Sequence, residues 1–203
     1  MRFVQPIRDL DTLNRCYDIA REHDKHRKRG EICWELLLQI GFNTSLRISD
    51  IRRLHVSDLK NKDYVQIDAK KTGKEARILI NPAARKEINR LLSKMQPDSY
   101  IFQSRKRNPI THKYEPVTRQ RCYQIINDIA RQAGIEERVG CHTLRKTFGF
   151  HYYKLTGDIV SLQRILCHGY QRETLRYIGI EQENIDESLM KLTMLAGRKV
   201  SHA

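Results

Sequence analysis

In this chain one pair of segments alternates apolar and polar residues at the period of a strand. These are Tyr64-Val65-Gln66-Ile67-Asp68-Ala69 and, across Lys71-Thr72-Gly73-Lys74, Ala76-Arg77-Ile78-Leu79-Ile80. Two such runs joined by a short glycine-containing link predict a β-hairpin. Elsewhere the apolar residues recur three and four apart, which predicts helices. The fold class read from this pattern is α+β and mainly helical, with one small antiparallel sheet at about residues 63–81 on a helical core.

The helices can be placed from their ends. Asp11 is a candidate cap for a first helix carrying Leu13, Cys16, Tyr17 and Ala20, which the basic stretch Asp24-Lys25-His26-Arg27-Lys28-Arg29-Gly30 ends as a solvated turn. A second helix through Ile32, Trp34, Leu36, Leu37 and Ile40 is apolar on more than one face and gives way near Gly41-Phe42-Asn43-Thr44. Arg47 therefore falls at a corner between helices. Asn81-Pro82 has the chemistry of a helix start, continued by Ile88, Leu91, Leu92 and Met95 toward Pro97. Residues 103–116, with Arg105, Lys106, Arg107 and two prolines, predict an exposed basic loop. Thr118 caps a helix through Cys122, Ile125, Ile126 and Ile129 that closes at Gly134. Further helices are expected over 143–155 and, capped by Asp158, over 158–166.

A chain of 203 residues suits one good-sized domain. The expected organisation is a single catalytic domain over residues 1–180 and a helical tail over 181–203, whose stripe Ile185, Leu189, Leu192 and Ala196 can pack on its own domain or on a neighbouring subunit.

Charge narrows the partner. Thirty-eight Lys+Arg against 24 Asp+Glu give a formal charge of +14, spread along the whole chain, which favours nucleic acid. No apolar run approaches the length of a membrane span and no signal peptide is visible at Met1-Arg2-Phe3, so no membrane partner and a cytoplasmic location are expected. The five cysteines (16, 33, 122, 141 and 167) form no Cys-x-x-Cys pair and read as reduced, mostly buried thiols; neither a metal site nor a cofactor is expected.

Six residues carry the chemistry: Arg47, Lys71, His142, Arg145, His168 and Tyr177. Attack on a phosphodiester needs the charge on its non-bridging oxygens offset and its departing oxygen protonated. Arginine forks suit the first task, and Arg47 and Arg145 stand in otherwise apolar segments. His142, three residues before Arg145, shares its helical face. His168 can bond a phosphate oxygen or move a proton. A tyrosine nucleophile has a pKa of about 10 and must lose its proton as it attacks. Tyr177, nine residues beyond His168, competes with Tyr152, Tyr153 and Tyr170, of which the first two read as packing. Lys71 is a candidate proton donor, with Lys70 and Lys74 as rivals.

Taken in order, Thr44-Ser45-Leu46-Arg47-Ile48-Ser49-Asp50, Lys71-Thr72-Gly73, His142-Thr143-Leu144-Arg145, Leu166-Cys167-His168-Gly169 and Leu175-Arg176-Tyr177-Ile178-Gly179 resemble the tyrosine recombinase (phage integrase) family from about residue 4 to 192. The resemblance implies the family's catalytic-domain fold and a site-specific recombinase or integrase of a mobile element. Tyr177 would form a 3′-phosphotyrosyl intermediate without metal or ATP, Lys71 would be the general acid at the β-turn, and the arginines and histidines would hold the phosphate. It implies double-stranded DNA as partner and a homo-tetramer on paired sites, with the tail exchanged between subunits. Two departures stand out. Cys167 replaces the glycine usual before the second histidine, and only 46 residues precede Arg47, where the family usually carries a separate DNA-clamping domain. The expectation is therefore no such N-terminal domain and an accessory DNA-binding partner or assembly on DNA in its place. The alternatives are a DNA-binding regulator that keeps the fold without the chemistry, and strand relaxation of the type IB topoisomerase kind.

Overall fold

The computed structural model describes residues 4–28, 30–68, 75–180 and 189–190. The described elements run α1 (Leu10–Lys25), α2 (Trp34–Asn43), α3 (Ile48–Ile51), α4 (Val56–Leu59), β1 (Tyr64–Asp68), β2 (Glu75–Leu79), α5 (Pro82–Leu92), β3 (Gln103–Arg107), β4 (Tyr114–Pro116), α6 (Arg119–Gln132), α7 (Cys141–Thr156), α8 (Ile159–Leu166) and α9 (Gln171–Ile178). The mainly helical α+β class and the hairpin at 63–81 are as expected, with Tyr64 opposite Leu79 and Asp68 opposite Glu75.

The helix ends follow capping chemistry. Asn81 accepts from the Ala84 amide at 2.9 Å, Thr118 from Arg121 at 3.1 Å and Asp158 from Ser161 at 2.9 Å, as their sequences predict. The first helix differs. Asp9, not Asp11, is its cap, accepting from the Thr12 amide at 2.7 Å, and Asp11 lies in the first turn, where a carboxylate also suits the helix dipole. Asp24 does more than occupy a solvated turn: its carboxylate accepts from the amides of Trp34 (3.1 Å) and Glu35 (2.9 Å) and so caps α2 from the end of α1.

Residues 103–116 also depart from the loop expectation, forming a second, irregular hairpin of β3 and β4. Its strands lack apolar alternation, and its shape comes from local polar bonds instead. Asn108 Oδ1 accepts from the amides of Ile110 (2.8 Å) and Thr111 (3.1 Å). The surface remains exposed and basic, as read.

Nine of the ten residues of α2 are buried. An all-round apolar helix must be enclosed, and α1, α5 and α7 pack against it. Its one buried carboxylate, Glu35, is met by Arg21 at 3.1 Å and Arg90 at 3.0 Å, which ties α1 and α5 to the same point. A smaller apolar cluster, Phe150, Leu162, Leu166, Ile178 and Ile180, lies among α7, α8 and α9. Helix α7 spans both, with Leu144 in the large cluster and Phe150 in the small one. Two glycines set its distance from its neighbours. A Cβ on Gly41 of α2 would stand 2.5 Å from Leu144 Cδ1, and one on Gly149 of α7 would stand 2.8 Å from Ile178 Cγ2.

The α2–α7 approach yields a prediction whose size depends on background. Gly41→Ala should lower stability by about 1–2 kcal/mol, because overpacking of about 1–3 kcal/mol outweighs about 1 kcal/mol of helix propensity. In a Leu144→Ala background the loss should shrink, because the Cδ1 at 2.5 Å is removed while the Cβ at 3.0 Å remains. Urea denaturation of the four proteins checks this, and a loss of equal size in both backgrounds would refute the contact.

Candidate active site

Five of the six residues singled out in the sequence lie among the described residues, and they converge. Lys71, with its rivals Lys70 and Lys74, lies outside them, as does most of the apolar tail stripe. Of that stripe Leu189 is described, and it is exposed.

Arg145 is the innermost member. It sits in the first turns of α7, where Gly140 begins the helix and the Thr143 hydroxyl accepts from the Gly140 amide at 3.1 Å. The side chain is only 5% exposed. One of its terminal nitrogens donates to the Ser45 carbonyl and the other to the Leu166 carbonyl at 2.7 Å. These carbonyls belong to two turns in left-handed backbone: Ser45 itself has φ 52°, and Cys167, which follows Leu166, also has φ 52°. One guanidinium thus ties the α2–α3 corner to the end of α8. Burial lowers its pKa, the Tyr177 phenol opposes that, and the Arg47 cation adds to it; an arginine stays charged regardless.

Arg47 is the residue just before α3, with φ −75° and ψ 149°, at the expected corner. Its charge is felt at Arg145, Tyr177 and His142. His142 stands one turn before Arg145 on α7 and is exposed. Partial desolvation and then the cations Arg119, Arg145, Lys146 and Arg47 hold its imidazole below the ordinary range, so it is neutral near pH 7.

His168 follows the left-handed Cys167, and its loop is held by Gln163, whose amide donates to the carbonyls of His168 (3.2 Å) and Gly169 (3.0 Å). Its Nδ1 lies 3.1 Å from the hydroxyl of buried Thr174, which in turn donates to the Tyr170 carbonyl at 3.4 Å. With that hydroxyl proton committed, Nδ1 is assigned as the donor in this pair. The imidazole meets the Tyr177 ring edge to face, with centroids 5.0 Å apart.

Tyr177 is in the last turn of α9. Its hydroxyl is enclosed and makes no bond of good distance and angle with a described residue. The Arg145 guanidinium is nonetheless close enough to act on it. Burial raises the phenol's pKa, and Arg145 and then Arg47 pull it back down. A nucleophile whose hydroxyl is enclosed and unpartnered among the described residues, faced by two guanidinium groups and an imidazole, is arranged to meet an anion. The rival tyrosines are placed differently. Tyr152 and Tyr153 pack against the small apolar cluster, as read, and Tyr170 is 78% exposed. Among the described residues no three His, Cys, Asp or Glu side chains gather as a metal site would.

The structure adds three residues that sequence reasoning passed over. Thr174 orients His168, and the Ser45 carbonyl anchors Arg145. Lys146 is 8% exposed, and its Nζ lies 5.0 Å from the Tyr177 ring centroid. Its position directly after the His-x-x-Arg motif was the available signal.

Comparisons with known proteins show the family and the fold. The model of the phage integrase family matches residues 9–184. A probable integrase/recombinase of Bacillus subtilis (strain 168), YoeC, is 38% identical over 183 residues, covering 90% of this chain and 93% of that protein. A tyrosine recombinase XerD of Listeria innocua is 28% identical over 138 residues, covering 66% of this chain but 46% of the relative, so the chain spans about half the length of relatives of that kind. The crystal structure of XerA recombinase shares the fold at a TM-score of 0.67 and 19% identity, over 98% of this chain and 67% of that one.

The strained Ser45 turn can be tested directly. Ser45→Gly should raise stability by about 1 kcal/mol, since relief of about 1–3 kcal/mol of left-handed strain exceeds the added chain entropy of about 0.5–1 kcal/mol. Thermal denaturation should show a higher midpoint, and a lower one would mean that the serine hydroxyl contributes a bond to this turn.

Proposed function

We propose that the chain, which belongs to the phage integrase family, cuts and rejoins double-stranded DNA through a covalent bond between Tyr177 and a 3′ phosphate. The observation that carries the reading is the enclosed, unpartnered Tyr177 hydroxyl beside Arg145, with Arg47 and His168 brought to it from other elements.

In the proposed step Tyr177 Oη bonds to phosphorus and the bond from phosphorus to the 5′ oxygen breaks. The phenolic proton passes to a base, for which Nε2 of His168 is suited, and the 5′ oxygen takes a proton from Lys71. Arg47 and Arg145 offset the charge that develops on the non-bridging oxygens. Arg145 commits two of its five N–H groups to the protein and keeps the others for the phosphate. His142, neutral near pH 7, adds a hydrogen bond. The phosphotyrosyl ester retains the energy of the broken bond, so attack by a 5′ hydroxyl from another strand reverses the chemistry without ATP.

The formal charge of +14 supports a DNA partner. Exchange between two duplexes needs four strand cuts, which supports a homo-tetramer on paired sites, with residues 1–180 as the catalytic domain and 181–203 as a tail able to dock on a neighbour. Such an exchange fits the integrase of a mobile element.

Wild-type protein incubated with nicked suicide duplexes from DNA flanking its own gene should form an SDS-resistant protein–DNA adduct, in EDTA as well as in magnesium. Tyr177→Phe should bind the same duplexes and form none. Covalent trapping by the variant would assign the nucleophile elsewhere, and a strict need for a divalent ion would contradict the mechanism. Joining of two sites, rather than relaxation of one plasmid, distinguishes recombination from topoisomerase action.

A further inference from the structure

Lys146 is a charged side chain in this pocket to which the reaction above gives no role. It follows Arg145 on α7, is 8% exposed, and has no hydrogen bond or ion pair with any described residue. Burial of the side chain disfavours its charged form, and a lysine elsewhere on the helix would avoid that cost. What the ammonium does meet is the face of the Tyr177 ring, 5.0 Å from its centroid. His168 approaches the same ring edge to face, also at 5.0 Å.

We propose that Lys146 is a positioning residue for the nucleophile, its ammonium over the Tyr177 ring favouring the phenolate that attack requires and fixing the direction in which the hydroxyl points. The inference rests on the reading of Tyr177 as the nucleophile. A cation over a neutral phenol gains a modest quadrupole attraction. Once the phenol ionises, the same cation faces a full negative charge in a pocket screened from water, and the attraction grows several-fold. Lys146 therefore binds the ring more strongly in its reactive form than in its resting form, which is the condition for helping a reaction.

The other charges around the ring are accounted for. Arg145 on α7 and Arg47 before α3 both favour the phenolate, and burial opposes it. Asp50 on α3 and the Cys167 thiol act on Arg145. His168 carries the ring's edge contact. Burial lowers the pKa of Lys146, and no charged neighbour contributes to that shift. In this proposal the charge of Lys146, where it is protonated, adds to that of the arginines, while its place on the ring face also orients the ring. Lys146 neither donates to nor accepts from the phosphate in this scheme, so the atom and proton transfers of the cleavage step are unchanged.

The test reads the tyrosine itself and needs no DNA. The full chain carrying 3-fluorotyrosine at its nine tyrosines is titrated by 19F NMR, with Tyr177→Phe identifying the resonance of interest. Removal of the charge in Lys146→Met should move the Tyr177 titration upward by about one pH unit, and Lys146→Arg, which keeps a cation on the ring face, should restore it. Lys146→Gln serves in the same comparison if the methionine variant does not fold. An unchanged titration without the lysine charge, or an arginine variant that behaves like the methionine one, would overturn the proposal. Because the readout is the phenol rather than cleavage, a protein that makes no DNA adduct but shows the shift would refute the recombinase reading and leave the Lys146–Tyr177 contact standing.

Discussion

Everything at this site hangs on one buried guanidinium. Arg145 reaches out of α7 at the seam between two apolar clusters and donates to carbonyls in two separate left-handed turns, one at Ser45 and one ending α8. Gln163 also holds the second turn from within α8, but Arg145 ties the two turns to each other. The bonds to Arg145 set the corner that presents Arg47 on one side and the loop that presents His168 on the other. The cost of burying a charge is thereby shared among neutral carbonyls, which solvate the cation without neutralising it. A guanidinium held in this way keeps a net positive field where a phosphate would sit.

The fold serves that placement. Because α2 is enclosed on all sides, α7 has a rigid surface to lie on, and the absence of a side chain at Gly41 lets it lie close. Gly149 does the same between α7 and α9, so that Ile178 packs down and the neighbouring Tyr177 is carried into the pocket. The nucleophile's seclusion raises its pKa and the two arginines lower it, an opposition that keeps the phenol neutral at rest. An anionic phosphate arriving between those cations would offset the charge that makes the empty pocket costly. Electrostatic preorganisation of this sort trades stability of the free protein for stabilisation of charge in the reaction.

Most of the site could be read from the sequence because its members are tied to local patterns. The three-residue step from His142 to Arg145 is a helical step, and the apolar surroundings of Arg47 and Arg145 marked them off from the many solvated arginines. The hairpin at 63–81 announced itself through alternation. What escaped was either non-local or unpatterned. The hairpin of β3 and β4 is built on an asparagine-centred turn and exposed polar strands, so there was no apolar period to detect. Asp9 and Asp11 are equally good caps on paper, and the geometry at the start of α1 decides between them. Asp24 caps a helix ten residues away, and Thr174 holds an imidazole across a loop; neither partner is visible to a window along the chain. Lys146 was hidden for a simpler reason, since a lysine in a chain with this much basic charge reads as surface until its burial is known.

Arg145 builds the pocket as well as serving in it, and Arg145→Lys measures this most directly. A lysine keeps the charge but has a single point of attachment, and it cannot satisfy the Ser45 and Leu166 carbonyls together. Urea denaturation should show a loss of about 2–4 kcal/mol relative to the wild type, as expected when a buried, charge-assisted bridge is broken. A variant as stable as the wild type, whatever its activity, would mean that the two turns hold themselves and that the guanidinium is a passenger in the fold.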